Sequence, residues 1–156
     1  HMSPKIENEI NSLQSLDWKY EKSSNASVLP EFVANRYPWI FSDAKEFIAE
    51  VDTLVSPDEK MWILTGKDFR NESKSTFSWN EFEIQSLQAA GEDQSEIDTV
   101  KSFWDKHFPI AISVEDGYVY YALCENGTIV TGRGPEFEQT TIFAENYLDF
   151  LKKIIV

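Results

Sequence analysis

Apolar positions along the chain fall into short periodic runs, each bounded by a capping or stopping residue. Ile6, Ile10 and Leu13 recur at three- and four-residue spacing behind Ser3 and Pro4, which predicts a short amphipathic helix with Ser3 as its cap. "SSNAS" after it reads as a loop. "LPEFVANRYPW" leaves room for one helical turn between its prolines, because Pro38 stops anything longer. Ser42 or Asp43 then caps a helix whose stripe is Ala44, Phe47, Ile48, Val51 and Val55, with "SPDE" as its stop.

"MWILT" reads as a buried strand, and the polar stretch from Lys67 to Lys74 carries no period. "TFSWNEFEIQSL" has aromatics at every second or third position, so a strand and a strand leading into a helical turn both fit it. After the "AAGEDQ" loop, Ser95 with Asp98 three residues on resembles a capping box, opening a helix with Ile97, Val100 and Trp104 inward and its end near His107. Pro109 starts a strand that turns at Asp116-Gly117. Tyr118 to Glu125 and Thr128 to Arg133 then form a hairpin about Asn126-Gly127, with Tyr118, Tyr120, Ala122 and Cys124 on one face and Val119, Tyr121 and Leu123 on the other. Gly132, Gly134 and Pro135 bend the chain away, "TTIFA" re-enters the sheet, and Asn146 caps a last helix with Tyr147, Leu148, Leu151, Ile154 and Ile155 as its stripe. Terminal helices around a mostly antiparallel sheet predict an α+β fold.

The 156 residues suffice for one core and one domain, spanning 3–156, with His1 and Met2 read as an expression scar and start methionine. A single cysteine, no signal-peptide pattern and no run of about 18 apolar residues predict a cytoplasmic, reduced protein with no membrane partner. The formal net charge of −13 changes the picture more. It repels phosphate backbones, which argues against nucleic acid, and it can steer a basic protein partner or simply keep the chain soluble.

Candidate chemistry is sparse. His107 has no second ligand at metal spacing and sits where a helix C-terminus welcomes a cation, so a structural or capping role is expected, with no metal and no cofactor. Cys124 lacks a nearby cation to activate its thiol and reads as a small core residue. No nucleophile elbow or phosphate-binding glycine loop is present. Glu81 with Glu83 and Glu136 with Glu138 would share a strand face at i, i+2, which permits an acid–base pair. In so acidic a chain, a solvated face explains them as well. The expectation is a protein that is not an enzyme.

"LPEF" at 29–32, Trp62 in "MWIL", "FSWNEFEIQSL" at 77–87, "FPIAISVEDGYVYYAL" at 108–123, "NGTIVTGRGPEFE" at 126–138 and the C-terminal "FLKKII" come in an order and spacing that resembles the SUKH superfamily, the Smi/Knr-type domain. That domain occurs in fungal cell-wall regulators and, more often, as immunity proteins of bacterial polymorphic toxin systems. The resemblance implies an α+β sheet with packed helices, no catalysis, and binding and neutralisation of a cognate protein toxin. A regulatory adaptor of the cell-wall type is the alternative.

Charge density adds a place for the partner. Residues 81–116 hold nine acidic side chains against Lys101 and Lys106, a net −7. The partner surface is therefore expected at Glu92, Asp93, Glu96, Asp98, Glu115 and Asp116. Several of these acids also stand where a helix N-terminus stabilises them, so capping competes with recognition as their role.

Overall fold

The computed structural model describes residues 2–24, 29–72 and 77–155. Most of the expected 23–27 loop, part of the polar stretch to Lys74 and the His1 scar lie outside them. In chain order the elements are α1 (Pro4–Ser15), β1 (Lys19–Lys22), α2 (Glu31–Arg36), α3 (Ser42–Glu50), β2 (Val51–Val55), β3 (Met61–Ile63) and α4 (Gly66–Phe69). They continue with α5 (Glu81–Ala90), α6 (Gln94–Asp105), β4 (His107–Ser113), β5 (Val119–Cys124), β6 (Ile129–Arg133), β7 (Thr141–Ala144) and α7 (Tyr147–Lys153). Seven antiparallel strands form one sheet whose spatial order is their chain order. The α+β class expected from the sequence is the class observed.

Consecutive residues of a strand point to opposite faces. Tyr120 meets Trp104 of α6 and Phe82 of α5, whereas Tyr121 meets Phe150 of α7 and Phe143 of β7. Both faces of the hairpin are thus covered by helices. On the Tyr121 side α7 also packs against α1 and α3, with Phe47 and Tyr147 in ring contact. Met2 is buried in the same core as Ile6, Ile10 and Leu13.

The hairpin matches its sequence signal closely. Gly127 N–H donates to the Cys124 carbonyl at 2.9 Å, and Leu123 pairs with Ile129 around the three residues 125–127. Gly127 has φ +93°, the left-handed conformation that a type I turn with an added bulge residue requires. Asn146 caps α7 as expected, its Oδ1 accepting the Asp149 N–H at 2.8 Å. Replacing Asn146 with alanine is expected to cost about 1 kcal/mol, read as a shift of the urea midpoint without a change of slope.

Four expectations are corrected. The helix expected to run from residue 42 to Val55 stops at Glu50, and Val51–Val55 is strand β2, paired with β1 on one side. Its stripe of Val51 and Val55 fits a helix by spacing, yet Val51, Thr53 and Val55 are β-branched at alternate positions and pack better in a sheet. Phe41, not Ser42 or Asp43, occupies the cap position of α3. Glu81–Ala90 is helical throughout, with no strand. The cap of α6 is Asp93 rather than Ser95: the Asp93 carboxylate accepts the Glu96 N–H at 3.2 Å, which puts Ser95 inside the first turn.

Arg36 ties the three helices on the Tyr120 side together. Its two terminal nitrogens donate to the Glu83 carboxylate at 2.8 and 2.7 Å, and its Nε donates to Asp105 at 2.8 Å. Beside it the Tyr37 hydroxyl donates to the Trp104 carbonyl at 2.8 Å. Thus α2 clamps α5 and α6 in a fixed mutual position, and these two helices carry the candidate site.

Candidate functional site, a groove along helix α5

Between α5 and the loop that follows β6 runs a groove made of two adjoining depressions of about 380 and 400 Å³. Ser86 and Ala89 of α5 and Pro135 of the loop line both, so the two depressions share a border. One end is closed by Glu96 and Thr99 of α6 and by Glu138, the other by Gly117 and Tyr118 of the β4–β5 turn. Small side chains on α5 leave space above the helix. Tyr118, 48% exposed, leans on the rings of Phe77 and Phe82 and supplies an aromatic surface at its end.

The loop wall is anchored from beneath. Phe137 stacks on Phe82 of α5 with ring centroids 4.7 Å apart, and the buried Tyr120 hydroxyl donates to the Phe137 carbonyl. Burial, with the Glu138 charge as a second cause, holds the Tyr120 phenol well above its usual range, so it stays a neutral donor. Tyr120 lies across Gly132 of the paired strand, where a Cβ would come within 2.6 Å of its oxygen. The "GRGPEFE" segment is therefore shaped by one buried tyrosine that needs a glycine opposite it. Phe137 points inward, and Glu136 and Glu138 on either side stay exposed.

Neither carboxylate pair lies on a strand. Glu81 and Glu83 are on α5, where Glu83 is buried against Arg36, and Glu136 and Glu138 are in the turn between β6 and β7. The shared strand face allowed by their spacing does not form.

The six acids expected at a partner surface divide by what they already do. All are exposed. Asp93 caps α6, Asp98 accepts from Gln94 at 2.8 Å, and Asp116 stands 3.5 Å from Arg133. Capping thus accounts for Asp93 in particular. Of the remaining three, Glu92 lies in the α5–α6 turn, Glu115 precedes the β5 hairpin, and Glu96 faces the groove. Glu138, read in the sequence only as half of a carboxylate pair, shares the Glu96 end, and among the described residues neither forms an ion pair. Its place opposite α5 has no local sequence signal, since the two segments lie some fifty residues apart and meet only through the sheet.

A second cleft of about 320 Å³ lies along β2 and β3, lined by Asp52, Glu59, Trp62, Asp68 and Phe77 among others. Its acids are largely occupied: Asp68 forms a capping box with Thr65, Glu59 pairs with Lys19 at 2.9 Å, and Asp52 stands 3.7 Å from Lys67. It offers a cation less free charge than the α5 groove does.

His107 and Cys124 lie together in a shallow depression with Ile142. The His107 ring stacks on Phe103 at 3.9 Å and its Nδ1 lies 2.6 Å from the Phe103 carbonyl, so it caps the end of α6. Burial lowers its pKa, with the Phe103 carbonyl acting in the opposite direction. Burial also pushes the Cys124 thiol up, away from nucleophilic chemistry. Among the described residues no group of three or more His, Cys, Asp or Glu side chains could hold a metal ion, and no helix is long and apolar enough to cross a membrane. No family model, curated protein or solved structure matches the chain.

Proposed function

We propose that this protein is a non-catalytic immunity protein that binds and neutralises a basic bacterial toxin domain through the α5 groove. The supporting observation is the pairing of two exposed, uncommitted carboxylates, Glu96 and Glu138, at one end of a groove whose walls are fixed by the Arg36 clamp and the Tyr120–Phe137 anchor. A preformed site loses little conformational freedom on binding, and free acids can pair with lysine or arginine without first breaking an internal contact. The net charge of −13 supports the same partner chemistry by drawing a basic protein toward the surface. For a toxin that is a nuclease, these carboxylates would stand where substrate phosphates lie.

The test is to search beside this protein's gene for a toxin domain and to co-express the two. Cells carrying both should grow, and the two purified proteins should form a complex. A complex without protection would instead favour a regulatory adaptor, and no complex would remove the proposal. Replacing Glu92, Glu96, Glu115 and Glu138 with glutamine is expected to leave the circular dichroism spectrum unchanged, slow association about tenfold at low salt and flatten its salt dependence. Asp93 is left intact because it caps α6, and Asp116 because Arg133 already stands beside it. Stopped-flow association at two salt concentrations checks this, and unchanged rates would place the interface elsewhere.

A further inference from the structure

Building on that role, we propose that the groove receives an extended segment of the partner about four residues long, with a lysine or arginine between Glu96 and Glu138 and an apolar side chain against Tyr118. Three features of the groove specify this occupant.

Length is the first. From Gln85 to Ala90 the lining residues of α5 span about 7.5 Å of helix axis at 1.5 Å per residue. With the closing residues at each end, that suits about four residues of extended chain at roughly 3.3 Å each.

Polarity is the second. Glu96, Thr99 and Glu138 make one end acidic and hydrogen-bonding, while Tyr118, Pro135 and Phe137 make the other aromatic and apolar. A bound segment therefore has fixed places for its side chains: its cation lies at the α6 end and its apolar residue at the β4–β5 turn. An arginine displaced to the Tyr118 end would keep a ring face but lose both carboxylates.

The third is the accessibility of the floor. Ala89 is exposed and Ser86 is partly so, hence a peptide backbone can lie close to α5 without displacing a long side chain. A second copy of this chain is a poor occupant, because it would bring a further net charge of −13 against the same acids. An anionic segment is disfavoured for the same reason.

The experiment uses the whole protein, isotopically labelled, and two blocked peptides, Lys-Gly-Ala-Phe and Phe-Ala-Gly-Lys, since chain direction in the groove is open. Saturable amide shifts centred on Ser86, Ala89, Ala90, Thr99 and Tyr118 are expected for one of them, with a dissociation constant in the millimolar range. Exchanging its lysine for norleucine, or using the Glu96→Gln, Glu138→Gln double variant, should weaken binding at least fivefold with circular dichroism unchanged. Tyr118→Ala should weaken it as well. Shifts spread over other acidic surfaces such as Glu7 and Glu9 of α1, or equal affinity in the double variant, would overturn the assignment. Toxin protection that persists while neither peptide binds would overturn the groove occupant alone. Peptide binding at these residues without any toxin neutralised would leave the groove occupant standing and remove the immunity role.

Discussion

Arg36→Ala is expected to lower stability by about 3 kcal/mol, seen as a fall in melting temperature of roughly 6–12 °C. The Glu83 side chain is only 8% exposed and receives both of its strong hydrogen bonds from Arg36. Alanine would leave a buried carboxylate without a donor, and such groups cost far more than the intact pair contributes. The hydrogen bonds that Arg36 donates to Glu83 are also the main reason the guanidinium is held even more firmly protonated than usual. Asp105, at 57% exposure, is free to return to water and adds little to the loss.

The companion measurement is the double variant Arg36→Met, Glu83→Leu. With both charges gone, no orphaned carboxylate remains, and most of the lost stability should return, giving a coupling energy above about 1.5 kcal/mol. A double variant as unstable as the sum of its single changes would mean that Arg36 acts by packing rather than through Glu83. Because Arg36 joins α2 to both α5 and α6, the single variant should also weaken binding at the groove more than a distant destabilisation of equal size.

Gly132→Ala is expected to cost about 2–3 kcal/mol, combining overpacking with the partial loss of one buried hydrogen bond. The added methyl would sit 2.6 Å from the Tyr120 oxygen and 2.7–2.8 Å from two of its ring carbons. Tyr120 has little room to move, since Trp104 and Phe82 hold its ring at 4.8 and 6.0 Å. Its shift would pull the hydroxyl away from the Phe137 carbonyl and loosen the loop that carries Pro135 and Glu138. Denaturant unfolding measures the first effect, and the amide signals of 134–138 report the second. A variant with unchanged stability would show that the Tyr120 ring accommodates the methyl by rotation.

Where the sequence was legible, one residue type answered one local demand. Asn126-Gly127 specified its turn and Asn146 its helix start, because both act through their own backbone neighbourhood. Where two structures share a pattern, spacing alone misled: Ala44, Phe47, Ile48, Val51 and Val55 fit one helical stripe, but pairing with β1 claims the last five residues of that segment. The aromatics before α5 raised the same ambiguity, since Phe77 and Trp79 precede the helix and only Phe82 belongs to it. Strand β1, "KYEK", has too little apolar content to announce itself and is held by its neighbour β2. The groove lay furthest from view. Acid density pointed to Glu96, which lines the groove, whereas its nearness to Glu138 and the burial of Glu83 against Arg36 depend on contacts between segments distant in sequence.

Strands β3 and β4 are direct neighbours, with Met61 opposite Ser113, although α4, α5 and α6 lie between them in the chain. Helices α4, α5 and α6 are thus carried on one excursion that leaves and rejoins the sheet at adjacent strands. The excursion is no free appendage, because its Phe69, Phe82 and Trp104 are buried against Phe108 and Tyr120 of the strands. A change within it is therefore felt by the strand ladder itself, and position 83 must keep an acid to meet Arg36.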